Sequence, residues 1–363
     1  MSEHEGKGPG FATLSDLVAS AEPKVIPPVW GYIQSGAGAE RTVRANREAF
    51  DRRELRPRAF RDVRKVDLST RLLGTDVEAP FYISPMAYQG LVHPEGEEAT
   101  ARAAAHANVL LALGTLSSCS LEEVAQASGQ GPRWFQLYVQ DDPEKTRRLL
   151  QRAEKAGYRA LIVTVDVPVL GSRDQQAGSG LAMSGPIPLG NGPEFVAPPR
   201  GPEGKGAHYT IPDHGPVTEE VLERVRGMTS LPLVVKGILT PRDARTAVRL
   251  GAKAIIVSNH GGRQLDGAPA ALDALPSIVS AVGDQVDVLM DSGVRRGSDV
   301  LMALALGAKG VGLGRSVLWS LAAGGEAGVG HLLALLKREL ANVMALTGSR
   351  SVSDLDPSMV GVR

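Results

Sequence analysis

Intramolecular disulfides and cysteine-rich metal sites are excluded at once, because the chain holds a single cysteine, Cys119. A charge bias is absent too: 40 basic residues stand against 40 acidic ones, for a formal net charge of +0. Bulk charge therefore draws the protein neither to nucleic acid nor to an acidic membrane surface. Apolar runs of the roughly 20 residues needed to cross a bilayer are missing, since Lys, Arg, Asp or Gly interrupts every candidate. The opening MSEHEGKGPGF lacks the basic-then-apolar order of a secretory signal. The expectation is a cytoplasmic protein whose partner is a small molecule, with no nucleic-acid and no membrane partner.

What is present is alternation. From about residue 80 onward the apolar runs APFYIS, VLLALG, RWFQLYV, ALIVTVD, LPLVVKG, AIIVSN, VDVLMDS and GVGLGR make eight candidate strands. Between them lie helix-like segments such as DPEKTRRLLQRAEKAG, opened by Asp-Pro, and TPRDARTAVRLGA, opened by Thr-Pro and stopped at Gly251. Continuously apolar strands joined by helices pair in parallel and are covered by those helices. Eight such units predict an α/β fold, a closed (β/α)8 TIM barrel, in a single domain spanning residues 1–363. Two stretches break the pattern. Residues 1–79 read as an N-terminal helical extension, a candidate lid or plug. Residues 174–215, rich in glycine and proline without a period, read as a long loop after the fourth strand. That loop is either a floppy insertion or a lid over the active site, since barrels place their chemistry at the strand end it leaves.

Nearly every candidate strand ends in a polar or glycine residue: Ser84, Gly114, Gln136 with Tyr138, Thr164 with Asp166, Lys236, Ser258 with His260 and Arg263, Asp291, and Gly314 with Arg315. A lone histidine or lysine at a strand end is ordinarily structural or solvated, but eight coincident placements converge on one mouth. After the last two strands, Ser292-Gly293 with Arg295 and Gly314-Arg315 fit a phosphate site, the glycines admitting backbone N–H groups to an anion. The alternative is that they only make tight turns. Lys236 either forms a Schiff base or sets positive charge beside an electron-rich cofactor ring, and spacing does not choose. In VSNHGGRQLD, His260 close to Arg263 suits proton abstraction from a substrate whose carboxylate the guanidinium holds, with Asp166 orienting the imidazole.

These residues resemble the FMN-dependent 2-hydroxy-acid oxidase and dehydrogenase family, which includes glycolate oxidase, lactate oxidase and mandelate dehydrogenases. The resemblance runs from about Pro27 to the C-terminus through SGAGAERTVRANREAF, HPEGEEATARAA, WFQLYV, TVDVPVLGSR, LVVKGI, SNHGGRQLD, DSGVRRGSDVLMALALGA and GR. It implies oxidation of an L- or S-2-hydroxy acid to the 2-oxo acid, with noncovalent FMN, oxygen as acceptor and hydrogen peroxide as product. His260 is then the base and Asp166 its partner, Arg173 and Arg263 grip the carboxylate, and Tyr32 and Tyr138 bind the hydroxyl. Pro85, Met86, Ala87, Gly114, Gln136, Thr164 and Ser258 would face the flavin ring. Lys236 would stabilise the reduced ring, against the Schiff-base reading, and Asp291, Gly293, Arg295, Gly314 and Arg315 would hold the ribityl chain and phosphate. A homo-oligomer, tetramer or octamer, belongs to the same implication. Dehydrogenases or monooxygenases of the family are an alternative. A flavin-dependent isomerase is disfavoured by NHGGR, and a silent flavin-binding barrel by the intact set of His260, both arginines and both tyrosines.

Two departures bear on the substrate. GTLSSCS places Leu116 where short-chain oxidases carry an aromatic residue. Together with the 4-hydroxymandelate-oxidase-like runs TLSS and TVDVP, this implies an aryl, mandelate-like or otherwise bulky acid, with lactate as the alternative substrate. After Arg173 the chain reads DQQAGSG instead of the family's Asp-x-Arg-Asn type run, so the expected lid begins differently.

Overall fold

The computed structural model of the chain describes residues 11–174, 189–192 and 215–363, so most of the loop expected at 174–215 lies outside the described residues. Each of the eight apolar runs forms a strand: β1 (Phe81–Ile83), β2 (Leu110–Gly114), β3 (Arg133–Leu137), β4 (Leu161–Thr164), β5 (Leu233–Ile238), β6 (Ala254–Val257), β7 (Asp287–Met290) and β8 (Gly310–Leu313). Neighbours pair in parallel and β8 closes onto β1, with Val311 opposite Phe81, so this sheet has no open edge.

Parallel neighbours need crossovers, and helices supply them. Ahead of the barrel come α1 (Leu14–Ala21), α2 (Pro27–Gln34) and α3 (Arg41–Asp51). Around and after it come α4 (Gly96–His106), α5 (Leu121–Ser128), α6 (Pro143–Lys155), α7 (Glu219–Arg226), α8 (Pro241–Arg249), α9 (Ala271–Val282), α10 (Gly297–Ala305) and α11 (Arg315–Leu346). The capping signals act where the sequence places them. Asp142 accepts the Glu144 N–H ahead of α6, and Thr240 accepts the Asp243 N–H ahead of α8; each such cap is worth about 1 kcal/mol. Beyond α8 the chain turns at Gly251, whose φ of +94° suits glycine.

Strand side chains sort by alternation. Phe81, Ile83, Leu111, Leu113, Phe135, Val163, Val235, Ile255 and Val311 point outward into the core shared with the helices. Tyr82, Leu110, Ala112, Trp134, Ile162, Val234, Ile256 and Leu289 pack against one another inside the barrel. A hairpin, Thr70–Leu72 with Thr75–Val77, adds Leu72 and Val77 to that inner cluster. The N-terminal extension is thus helical only up to α3: it also holds that hairpin and a strand, Arg53–Leu55, that pairs antiparallel with Val360–Val362. Within it, α2 carries Tyr32 and Ile33 into the wall of the barrel mouth.

Candidate active site

The imidazole is placed by an uncommon backbone. After β6 the chain turns left-handed at three successive residues, His260 (φ +58°), Gly261 (φ +67°) and Gly262 (φ +79°). Glycine accepts this freely; a histidine so held stores strain of order 1–3 kcal/mol. The restraint comes from both sides. Asn259 and Asn46 of α3 exchange amide hydrogen bonds at 2.9 and 2.7 Å, and Asn259 Oδ1 also accepts the Gly262 N–H at 3.1 Å. Ser258 Oγ accepts the His260 N–H at 3.0 Å. A side chain at Gly262 would stand 2.7 Å from the Val43 backbone nitrogen, so the second glycine of the motif is needed for α3 to approach.

His260 Nδ1 meets Asp166 Oδ1 at 3.1 Å, and the ring lines the cavity, so Nε2 is the nitrogen left for a ligand. Burial lowers the imidazole pKa below its ordinary value, against the upward pull of Asp166, which leaves a neutral ring at pH 7. Burial works upward on Asp166, but His260 and Lys236 outweigh it and hold the carboxyl below its usual range. A neutral base beside an ionised orienting group is the pairing proton abstraction requires.

Lys236 Nζ donates to Ser258 Oγ at 3.0 Å and lies 3.5 Å from Asp291 Oδ2. An amine paired with a carboxylate is a fixed cation, which favours the charge role over the Schiff base. Asp291 also accepts from Ser84 at 3.3 Å and Ser292 at 3.0 Å. Gln136 donates to Thr164 Oγ1 at 3.0 Å, and its own Oε1 accepts the Thr115 N–H at 3.3 Å.

Four guanidiniums, Arg173, Arg263, Arg295 and Arg315, also line the cavity. Among the described residues none of the four forms an ion pair. Arg263 spends Nη1 on the Tyr32 and Ser35 carbonyls at 2.7 and 2.8 Å, and Arg315 donates to the Ile33 and Gly261 carbonyls at 3.0 and 3.1 Å. The Tyr32 ring lies 4.8 Å from Arg263 and 5.6 Å from Arg173, and Arg295 stacks on Trp319 at 4.7 Å. Burial first, and neighbouring cations second, push Arg263 and Arg315 down to about 9 and Arg295 to about 10. Partly buried charge with no counter-ion among the described residues is costly, so this mouth is suited to take anions. The arginines fall in two groups: Arg173 with Arg263 around Tyr32, and Arg295 with Arg315 after β7 and β8.

The structure brings nearly all the sequence-derived candidates to this one cavity. Tyr32, Pro85, Met86, Ala87, Gly114, Leu116, Gln136, Tyr138, Lys236, His260, Asp291, Gly293 and Gly314 share its wall with the four arginines. Thr164, Ser258 and Asp166 stand behind that wall, holding Gln136, Lys236 and His260. Other wall residues were not singled out by the sequence, among them Tyr88, Val167, Leu170, Gln264 and Leu318. Gln264 had a signal in its place beside Arg263. Its amide donates to the Asp166 and Val169 carbonyls at 3.0 and 2.9 Å and fastens the segment leading to Arg173.

Fold and site together define a (β/α)8-barrel protein whose mouth pairs an oriented base with seats for two anions. The FMN-dependent dehydrogenase family matches residues 21–362, and the chain belongs to that family. It is 47% identical over 337 residues to an L-lactate oxidase from Nostoc sp., covering 91% of this chain and 92% of that one. To 2-hydroxyacid oxidase 2 from Mus musculus it is 42% identical, covering 96% and 97%. A crystal structure of mandelate oxidase with (S)-4-hydroxymandelic acid superposes with a TM-score of 0.92 at 41% identity, over 97% of this chain and 99% of that one.

FMN is the cofactor of this family, and the residues present fit it. Among the described residues Arg295 and Arg315 pair with no carboxylate, and at Gly314 nothing lies within 4 Å of where a Cβ would be. Ser292 and Gly293 turn left-handed (φ +83° and +86°), as an anion-binding turn does. These residues would hold the phosphate. Gly114 and Gln136 would meet the ring, and Lys236 would supply positive charge beside it.

Proposed function

We propose that this enzyme oxidises an S-configured 2-hydroxy acid to the 2-oxo acid, with oxygen as final acceptor and hydrogen peroxide as the second product. The observation that carries the reading is the neutral His260, braced by Asp166, in one cavity with the partly buried cations Arg173 and Arg263. The two guanidiniums hold the substrate carboxylate, Tyr32 and Tyr138 bind its hydroxyl, and His260 Nε2 takes a proton from the 2-hydroxy centre. FMN, held by Arg295, Arg315 and the turn at Ser292 and Gly293, would supply the two-electron acceptance and the route to oxygen. Atoms balance: hydroxy acid and oxygen give oxo acid and hydrogen peroxide. The imidazolium is stabilised by the Asp166 carboxylate until its proton leaves.

The cavity wall also carries Leu116 and Tyr88, joined by a backbone hydrogen bond, with Val167 and Leu170. That lining favours an aryl acid of the mandelate type over glycolate or lactate, and the likeness to mandelate oxidase supports it. Cytoplasmic residence and assembly into a homotetramer belong to the same reading, the first supported by the single cysteine and balanced charge. Sedimentation would test the second.

The test is direct. Purified protein mixed anaerobically with glycolate, lactate, mandelate and 4-hydroxymandelate should lose its yellow colour with the aryl acids fastest, and air should restore it with stoichiometric peroxide. Bleaching by none of the four sinks the assignment. Bleaching that only a dye or quinone reverses makes the enzyme a dehydrogenase.

A further inference from the structure

Residues 189–192, LGNG, lie far along the chain from the loop that follows β2, yet they are docked on it. Asn191 is buried; its amide donates to the Thr115 carbonyl at 2.8 Å and its Oδ1 accepts the Leu121 N–H at 3.0 Å. One side chain thus ties both ends of residues 115–121. Between those ends the Gly190 N–H donates to the Ser117 carbonyl at 3.0 Å. A Cβ at Gly190 would stand 2.0 Å from the Cys119 carbonyl carbon, so only glycine permits this approach. From the other side, Arg152 of α6 donates to the Asn191 carbonyl at 2.5 Å while also pairing with Glu122 of α5 at 2.8 Å.

The loop so held carries part of the substrate pocket. The Leu116 side chain lines the cavity and its carbonyl accepts the Tyr88 N–H at 3.0 Å. The Thr115 hydroxyl accepts the Tyr138 N–H at 2.9 Å and donates to the Gln136 carbonyl at 2.7 Å. Buried Glu97, at the start of α4, accepts the Ser118 and Gln89 N–H groups, each at 3.0 Å. The backbone of residues 115–121 is therefore fixed from three directions, and Asn191 is the member that comes from the segment between β4 and α7.

We propose that Asn191 is a positioning residue that sets substrate size selectivity. It does not line the cavity. By holding residues 115–121 against the barrel, it fixes the Leu116 wall and the Tyr138 backbone relative to a substrate whose carboxylate the arginines pin. A fixed wall discriminates between substituents; a wall that yields accepts both small and large ones. The inference rests on the 2-hydroxy-acid reading above.

The experiment uses the FMN-loaded full chain and four proteins: wild type, Asn191→Ala, Leu116→Ala and the double variant, each assayed with mandelate and glycolate. Asn191→Ala should move the mandelate-to-glycolate ratio of kcat/KM toward one by roughly three- to ten-fold, mainly through KM. The double variant should match Leu116→Ala, because Asn191 acts through that wall. Asn191→Asp keeps the shape and the acceptor but loses the donor to Thr115, so it carries the test if the alanine variant does not fold, with a shift in the same direction. A purely structural Asn191 would lower the melting temperature and slow both acids alike. Flavin-loaded variants with the wild-type ratio, additive effects of the two alanine substitutions, or a wild type that turns over both acids without discriminating overturn the proposal alone. A wild type that oxidises neither acid overturns the functional reading along with it.

Discussion

The inner face of the barrel changes character between one layer of side chains and the next. In the lower layer stand Tyr82, Ala112, Trp134, Ile162, Val234, Ile256 and Leu289, all buried and packed on one another. Two residues further along the same strands, about 7 Å higher, stand Ser84, Gln136, Thr164, Lys236, Ser258 and Asp291, also buried but joined by hydrogen bonds and one ion pair, with Gly114 leaving space among them. The contrast separates two tasks. The lower layer holds the strands in register through apolar burial. The upper layer gives up apolar packing for polar groups that must all be partnered, which is how a site is kept in fixed geometry. Substitution below should therefore cost stability, and substitution at the mouth should cost chemistry.

The largest effect belongs to the mouth. His260→Ala should retain FMN and slow flavin reduction by about 10²–10⁴-fold, the usual contribution of a positioned base. Anaerobic stopped-flow at the flavin band reads it, and a variant that reduces its flavin at the wild-type rate takes His260 out of the reaction. The melting temperature should barely move, since the ring lies outside both apolar core clusters. The matching change below is Trp134→Ala, at a side chain with no exposed surface. Emptying that space should destabilise the fold by about 3–5 kcal/mol in a denaturant titration. The protein that remains folded should keep its flavin-reduction rate; loss of chemistry there at unchanged stability would erase the distinction between the layers.

The same contrast explains what the sequence makes legible. An apolar run ending in a polar residue marks both a strand and its active end, so all eight strands and cavity residues at their ends, such as Ser84, Gln136, Lys236 and Asp291, can be read from local pattern. The resemblance adds Tyr32, Pro85, Met86, Ala87, Leu116 and Arg173, which lie on no strand. Residues brought in by distant packing have no such mark. Tyr88 reaches the wall through a left-handed backbone (φ +60°) that nothing in MAYQG announces. Asn191 sits in a glycine- and proline-rich stretch without a period, and its role depends on a carbonyl and an N–H in residues 115–121. The Asn46–Asn259 pair joins two segments more than two hundred residues apart, which strand and helix periodicity cannot couple.

A smaller effect tests the apolar wall at the mouth. The arginines fix the carboxylate, so an indole at position 116 leaves an aryl substituent nowhere to move. Overpacking of that kind costs about 1–3 kcal/mol, and Leu116→Trp should lower the mandelate-to-glycolate ratio of kcat/KM by roughly ten-fold or more. An unchanged ratio would show that the aryl group lies elsewhere in the pocket.

The smallest expected change is a displacement along the pH axis. Burial holds the His260 pKa below its ordinary value of 6.5, while Asp166 pulls it upward. The base acts in its neutral form, so the acid limb of kcat/KM should lie below pH 6.5, the rate falling by about ten-fold per unit once the lowered pKa is passed. Asp166→Asn removes the upward pull. The acid limb should then move to lower pH still, even as the plateau drops because the imidazolium loses its counter-charge. Wild-type and Asp166→Asn profiles of kcat/KM, measured with one acid at constant ionic strength, decide the matter. A limb that moves to higher pH in the variant would mean that Asp166 does not raise the His260 pKa. The 3.1 Å contact between them would then orient the ring without sharing its charge.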